Sequence, residues 1–237
     1  VQAPAMFFEQ AKYQVAYFTM DKADVDLKGF IFSTIDSTYA GCRSVIVNHP
    51  QIGVLKNKAY EWNTNASQLL LHELIRQIPT NMKSDTVQVL DGNIIYRELN
   101  PNGNGEVTLK NVYVTATNFS TLKLNARKNL KIAFAAKLYG AIDLVANIDY
   151  PLNGNGTHTI TGKLGSGDLN VFNAYIEQIY GAKIISGRLR SCTFAATFFN
   201  KKSTGWMQPE YEDLKMDISN VKLPDKEKDD QKQGMKF

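Results

Sequence analysis

The chain is short of the residues that carry chemistry on their own. Its 237 residues include two cysteines, Cys42 and Cys192, and three histidines, His49, His72 and His158. Two cysteines are too few for a disulfide scaffold, and they lack the CxxC spacing of a redox or zinc site. Both stand in strand-like runs, as two buried thiols would, or as the two ends of one long-range disulfide. The histidines show neither HxH nor HExxH spacing and read as surface or structural residues. There is no GxSxG elbow, and the "GSG" at Gly165–Gly167 lacks the strand-turn-helix setting of a nucleophile.

Other absences narrow the class further. The net charge of +4 is spread along the chain with no basic arm or stripe, which argues against nucleic acid as a partner. No apolar run is long enough for a transmembrane helix, and no basic-then-apolar leader is present. The chain begins at Val1 without an initiator Met, as expected of a processed protein or an excised fragment. Asp143, Asp149, Glu210, Glu212 and Asp213 are the carboxylates available for paired acid–base work, but they stand where the wet face of a strand needs polar residues. Trp62 and Trp206 could stack on sugars, although they are scattered rather than grouped. With no catalytic constellation, the expectation is a protein that is not an enzyme and needs no cofactor or metal.

What the sequence does have is alternation. Leu130, Ile132, Phe134, Ala136 and Leu138 fall on one face of a strand, and Ile142, Leu144, Ala146 and Ile148 on one face of the next, with Lys131, Lys137, Asp143, Asn147 and Asp149 opposite. A tight turn at Tyr139-Gly140 would set the two strands side by side. Similar runs separated by Gly, Asn, Asp and Pro predict strands over 13–20, 23–33, 42–48, 51–56, 122–125, 158–164, 183–190, 191–199 and 211–218. "NPNGNG", Asn100 to Gly105, predicts a hairpin between strands over 86–99 and 106–118. Its incoming strand carries a bulge signal at Asp91-Gly92, and the outgoing one switches its apolar parity near Lys110-Asn111. Within it, Tyr96, Arg97 and Glu98 read as architecture, with the two charges facing solvent and paired across the sheet.

Two windows keep helical period instead. Ser67–Ile78 carries a Leu70, Leu71, Leu74 and Ile78 stripe and stops at Pro79. Leu169–Ile179 carries a Leu169, Phe172, Ile176 and Ile179 stripe between an Asp168 N-cap and Gly181. The fold expected is mainly β, an antiparallel meander with two short amphipathic helices covering its apolar face. Residues 1–218 form a single β-rich domain, and 219–237, rich in Lys, Asp and Glu, form a charged tail or linker.

Three blocks carry a family likeness: "VIVNHPQIGVLKNKAYEW" (45–62), "DTVQVLDGNIIYRELNPNGNGEVTLKNVYVTATNFS" (85–120) and "GDLNVFNAYIEQIYGAKIISGRLRSCTFAATFFNKKSTGWMQPEYEDLKMDI" (167–218). In order and spacing they resemble the AsmA-like family of Gram-negative envelope proteins, particularly the Bacteroidetes versions. The resemblance implies strands curled into an open trough or half-barrel with an apolar interior. It also implies a periplasm-facing module, anchored to a membrane through segments absent from this sequence, that serves phospholipid transport or outer-membrane homeostasis. Ile132, Phe134, Leu138, Ile142, Leu144 and Ile148 are then the lipid-groove candidates and phospholipid the expected partner. The alternative is a structural module whose strand edges pair with other envelope β-proteins.

Overall fold

The computed structural model describes the chain except residues 1–3, 35–38, 64–73, 76, 102, 123–128, 153–155, 200–201 and 221–237. It is mainly β. Strands β1 (Ala16–Asp21), β2 (Asp24–Ser33), β3 (Tyr39–Asn48), β4 (Gln51–Asn57), β5 (Met82–Asn100), β6 (Gly103–Ser120), β7 (Asn129–Leu138), β8 (Ile142–Pro151), β9 (His158–Leu164), β10 (Gly167–Asp168), β11 (Lys183–Phe199) and β12 (Lys202–Asp217) join in one open sheet. From β5 to β9 each strand pairs antiparallel with the next, as the alternation predicts, and β11 continues the sheet between β9 and β12.

The amino-terminal part departs from a simple meander. β3 and β4 lie end to end and both pair parallel with β5, while β2 and β1 flank them antiparallel. A parallel pair needs a crossover connection of a dozen residues or more, and Lys58 to Asn81 supplies one. The helix window at Ser67–Ile78 falls in this crossover. Leu74, Ile75 and Gln77 are helical, and the rest of that window's core lies outside the described residues. A short helix not foreseen from the sequence, α1 (Pro4–Glu9), buries Phe8 beside Tyr17 and Tyr60.

Other boundaries shift for identifiable reasons. The stretches 183–190 and 191–199 are one strand with bulges, between Ile184 and Ser191. β12 starts at Lys202, not Tyr211, because an edge strand tolerates Gly205 and Pro209, whose missing N–H costs no ladder bond on the open side. The predicted strand at 122–125 does not form at Leu122, and 123–125 lie outside the described residues, as do 221–237 of the tail.

Both bulge signals are real. The β5–β6 register shifts on either side of Gly92, and the β6–β7 register shifts between Lys110 and Tyr113. Asp91 (φ 55°) and Asn111 (φ 50°) adopt left-handed backbone there, with His49 (φ 51°) beside them at the β3–β4 junction. They are tied together: Asn111 Nδ2 donates to Asp91 Oδ1 at 3.1 Å, and His49 Nδ1 lies 3.2 Å from Asp91 Oδ2. Lys22 (φ 55°) and Tyr139 (φ 52°) extend the line to the β1–β2 and β7–β8 turns. The result is a crease across the sheet. Each crossing changes parity, so Val87 and Val89 before it share a face with Ile94 and Tyr96 after it.

A single turn of 3-10 helix, Leu169–Phe172, leads into α2 (Asn173–Tyr180). Asp168 caps its start by accepting from the Asn170 N–H, and Gly181 ends it in left-handed conformation (φ 72°), both as the sequence predicts. The Asn173 amide then clamps α2 to β11, donating to the Ile184 carbonyl and accepting the Ile184 N–H, each at 2.8 Å. α2 lies so close on β6 that a Cβ on Gly105 would stand 2.6 Å from the Tyr175 ring and 2.7 Å from Ile179. Gly105→Ala should therefore lift the helix at a cost of about 1–3 kcal/mol in urea unfolding, the usual penalty of overpacking. A neutral substitution would mean that the contact is loose.

Candidate functional site

The pairing register sorts the side chains into two faces. One row runs from Val25 through Val47, Val89, Val114, Phe134 and Ala146 to Gly162, Phe194 and Met207. A second runs from Leu27 through Val45, Val87, Ala116, Ile132 and Ile148 to Ile160, Ala196 and Gly205. No polar side chain interrupts either row. Nine strands at about 4.8 Å spacing put roughly 38 Å between the ends of each. On the other face, the row through Ser44, Thr86, Thr117, Lys131, Asp149, Thr159 and Thr197 is entirely polar.

The apolar face is closed at both ends and less so between them. At the crease end, Ile142, Leu189 and Cys192 form a buried cluster under Leu169, Val171 and Phe172. At the far end, Ile75 of the crossover packs on Leu130, Tyr150 and Leu152, with Ala116 and Phe119 alongside. His158 is held within this region, stacked 4.7 Å from the Phe198 ring and 4.5 Å from that of Tyr150. Between the two clusters Val47, Val89, Val114, Phe134 and Ala146 are all half-buried. Toward the sheet edges exposure rises, to 55% at Val25 and 66% at Met207.

The six groove candidates divide accordingly. Ile142 is fully buried at 0% exposure and is core, not groove lining. Leu138 is half-buried and packs on the same cluster, while Ile132 and Ile148 are half-buried and lean on the Ile75 cluster. Phe134 and Leu144 are half-buried and belong to neither. All six share a face, but only its middle is placed to meet a ligand. The sequence pattern missed the wider row, because Val47, Val89, Val114 and Phe194 join it only through pairing across strands.

A second feature is Glu98. The sequence places it on a solvent-facing side, and for Arg97 that holds, since its Nε donates to Glu106 Oε2 across the hairpin at 2.7 Å, both partly exposed. Glu98 is instead 1% exposed. Its parity with Ile94 and Tyr96 turns it to the apolar side, opposite Gly105 and under α2. Tyr96 Oη donates to Oε2 at 2.8 Å, Tyr175 Oη donates to the same oxygen at 3.3 Å, and Lys58 Nζ lies 3.0 Å from Oε1. That shared parity with Ile94 was the available signal.

Burial pushes the Glu98 carboxyl up, but Lys58 and the two tyrosine hydroxyls outweigh it and hold it below its ordinary value. Burial first, and then the Glu98 charge, pushes Tyr175 up to about 12 and raises Tyr96 as well. The carboxylate is thus a fixed acceptor between donors that keep their protons. Such a group latches α2 to the sheet and is poorly suited to proton transfer at neutral pH.

Cys42 and Cys192 are both free thiols; Cys42 donates to Ser84 Oγ at 3.7 Å, and burial raises the Cys192 thiol. Among the described residues there is no cluster of metal-ligating side chains and no helix long and apolar enough to cross a membrane. His72 lies outside the described residues. No family model, no curated protein and no solved structure matches the chain.

The depressed carboxyl of Glu98 fixes a sign. Its stabilising contribution is complete above the ordinary carboxylate value of 4.5 and is lost as pH falls through the lower folded-state value. Glu98→Gln should cost about 1–3 kcal/mol at neutral pH. The gap from the parent should narrow as pH falls below 4.5 in urea titrations. A gap independent of pH would show that Glu98 is not ionised in the folded chain.

Proposed function

We propose that this chain binds acyl chains of phospholipid along the half-buried middle of its apolar face, as a periplasm-facing module of an AsmA-like envelope protein. The observation that carries the reading is the pair of uninterrupted apolar rows, which cross the sheet between two buried clusters and are half-buried over the middle strands. Hydrocarbon needs no directional contacts, and each buried methylene contributes about 0.8 kcal/mol, so a row of Val, Ala and Phe suffices. Phe134, Leu144, Ile132 and Ile148 make the lining, with Val89 and Val114 beside them. The envelope location, the membrane anchor and the role in outer-membrane homeostasis rest on the sequence resemblance. Neither cofactor nor catalysis enters this function.

A second reading has its own support. Two of the edge strands carry exposed apolar side chains, including Phe30 (67%) and Phe32 (64%) on β2 and Trp206 (57%) and Met207 (66%) on β12. Such edges suit pairing with another β-sheet of the envelope.

One experiment separates the two readings. The organic extract of gently purified protein should contain phospholipid, which a protein acting only through its edges would lack. Phe134→Ser should deplete that lipid at a cost of no more than about 1–2 kcal/mol, because its site is only half-buried. Ile142→Asp should cost several kcal/mol or prevent folding, because it places a charge in a closed core. Lipid-free parent protein would refute the acyl-chain reading, as would Phe134→Ser protein that keeps its full lipid load.

A further inference from the structure

The polar face holds a feature that acyl-chain binding does not use. A hollow of about 320 Å³ lies across β6, β7, β8 and β9, with the side chains of Thr115, Thr117, Asn147, Thr159 and Thr161 around it. Ala133, paired with Thr115 on one side and Asn147 on the other, is small enough to leave the middle open. Among the described residues these five polar side chains make no hydrogen bond to another protein group. Each threonine hydroxyl both donates and accepts, and the Asn147 amide adds two donors and an acceptor.

The charges at the rim cancel. Lys131 and Asp149 are cross-strand partners, and Asp149 Oδ1 already accepts from Asn129 Nδ2 at 2.6 Å. An anion gains nothing net from this pair, whereas a neutral polyol can use both groups as polar partners.

Two exposed aromatic rings stand on the same face at its borders. Tyr113, 46% exposed, lies two residues along β6 from Thr115, about 7 Å away at strand rise. Trp206, 57% exposed, shares a cross-strand row with Asn147 and Thr161 through Ala195. Two strand spacings, about 10 Å, separate it from Thr161. Exposed rings on a polar surface offer flat apolar platforms, and a sugar is the neutral ligand that presents a C–H face and a ring of hydroxyls together.

We propose that this hollow, flanked by Tyr113 and Trp206, binds a neutral oligosaccharide. Sugar hydroxyls pair with the threonines and Asn147, and a ring at one end of the saccharide lies over Trp206; Tyr113 stands five strand spacings, about 24 Å, from Trp206 and takes a ring at the other end of a longer chain. The site is on the opposite side of the sheet from the acyl-chain rows and does not depend on them.

Calorimetric titration of the full chain with chitotetraose, cellotetraose, maltotetraose and mannotetraose tests this. At least one should bind, and Asn147→Ala and Trp206→Ala should each weaken it about tenfold. Both side chains are exposed, so the melting temperature should stay within about 2 °C of the parent. Lack of binding by all four at millimolar concentration would overturn the site, and so would binding that survives both substitutions. Tighter binding of a sulfated oligosaccharide than of any neutral one would overturn the assignment of ligand class.

Discussion

The crease at His49, Asp91 and Asn111 is the constraint on which the rest of the sheet depends. Strands as long as β5 and β6 twist, and their sequences change parity midway: Val87 and Val89 are odd, Ile94 and Tyr96 even. Without an inserted residue one half of each strand would turn its apolar side chains to water. Left-handed backbone at a non-glycine residue costs about 1–2 kcal/mol. Asp and Asn tolerate it best, and here their side chains bond one another across the strands. The cost is offset by keeping one continuous apolar face on both sides of the crease.

That face then needs cover, and the described residues supply it unevenly. Beyond the crease α2 lies directly on β6, held by the Asn173 clamp and by the buried Glu98 among Tyr96, Tyr175 and Lys58. On the other side Ile75 closes the far end. The middle of the sheet has strands long enough to outreach both, and Val89, Val114 and Phe134 stay half-buried there. Half-buried apolar side chains on so wide a face are the surface that the proposed hydrocarbon would cover.

Much of this was legible in the sequence because it is set locally. Turn residues placed the β5–β6 and β7–β8 hairpins, Asp168 and Gly181 bounded the second helix, and parity changes located both bulges. What was not legible depends on distant partners. The parallel pairing of β3 and β4 with β5 follows from the long crossover. Strand β12 passes through Gly205 and Pro209 only because it is an edge. The charge of Glu98 suggests a solvent-facing side chain, although its parity with Ile94 points inward, and it is buried because α2, far along the chain, brings Tyr175 to it. The groove candidates lie on β7 and β8, the two strands with the cleanest alternation, and pairing across the sheet both widens the row and buries Ile142 in the core.

The central claim is that hydrocarbon lies on the apolar face midway between the two closed ends. Paramagnetic broadening of methyl resonances by a phospholipid carrying a nitroxide on its acyl chain tests this most directly. Hydrocarbon there should give strong, saturable broadening at Val89, Val114 and Ile160, with Ile142 much less affected and Thr115 and Thr161 on the opposite face spared. Broadening that is absent, uniform over the molecule or strongest at the threonines would contradict it.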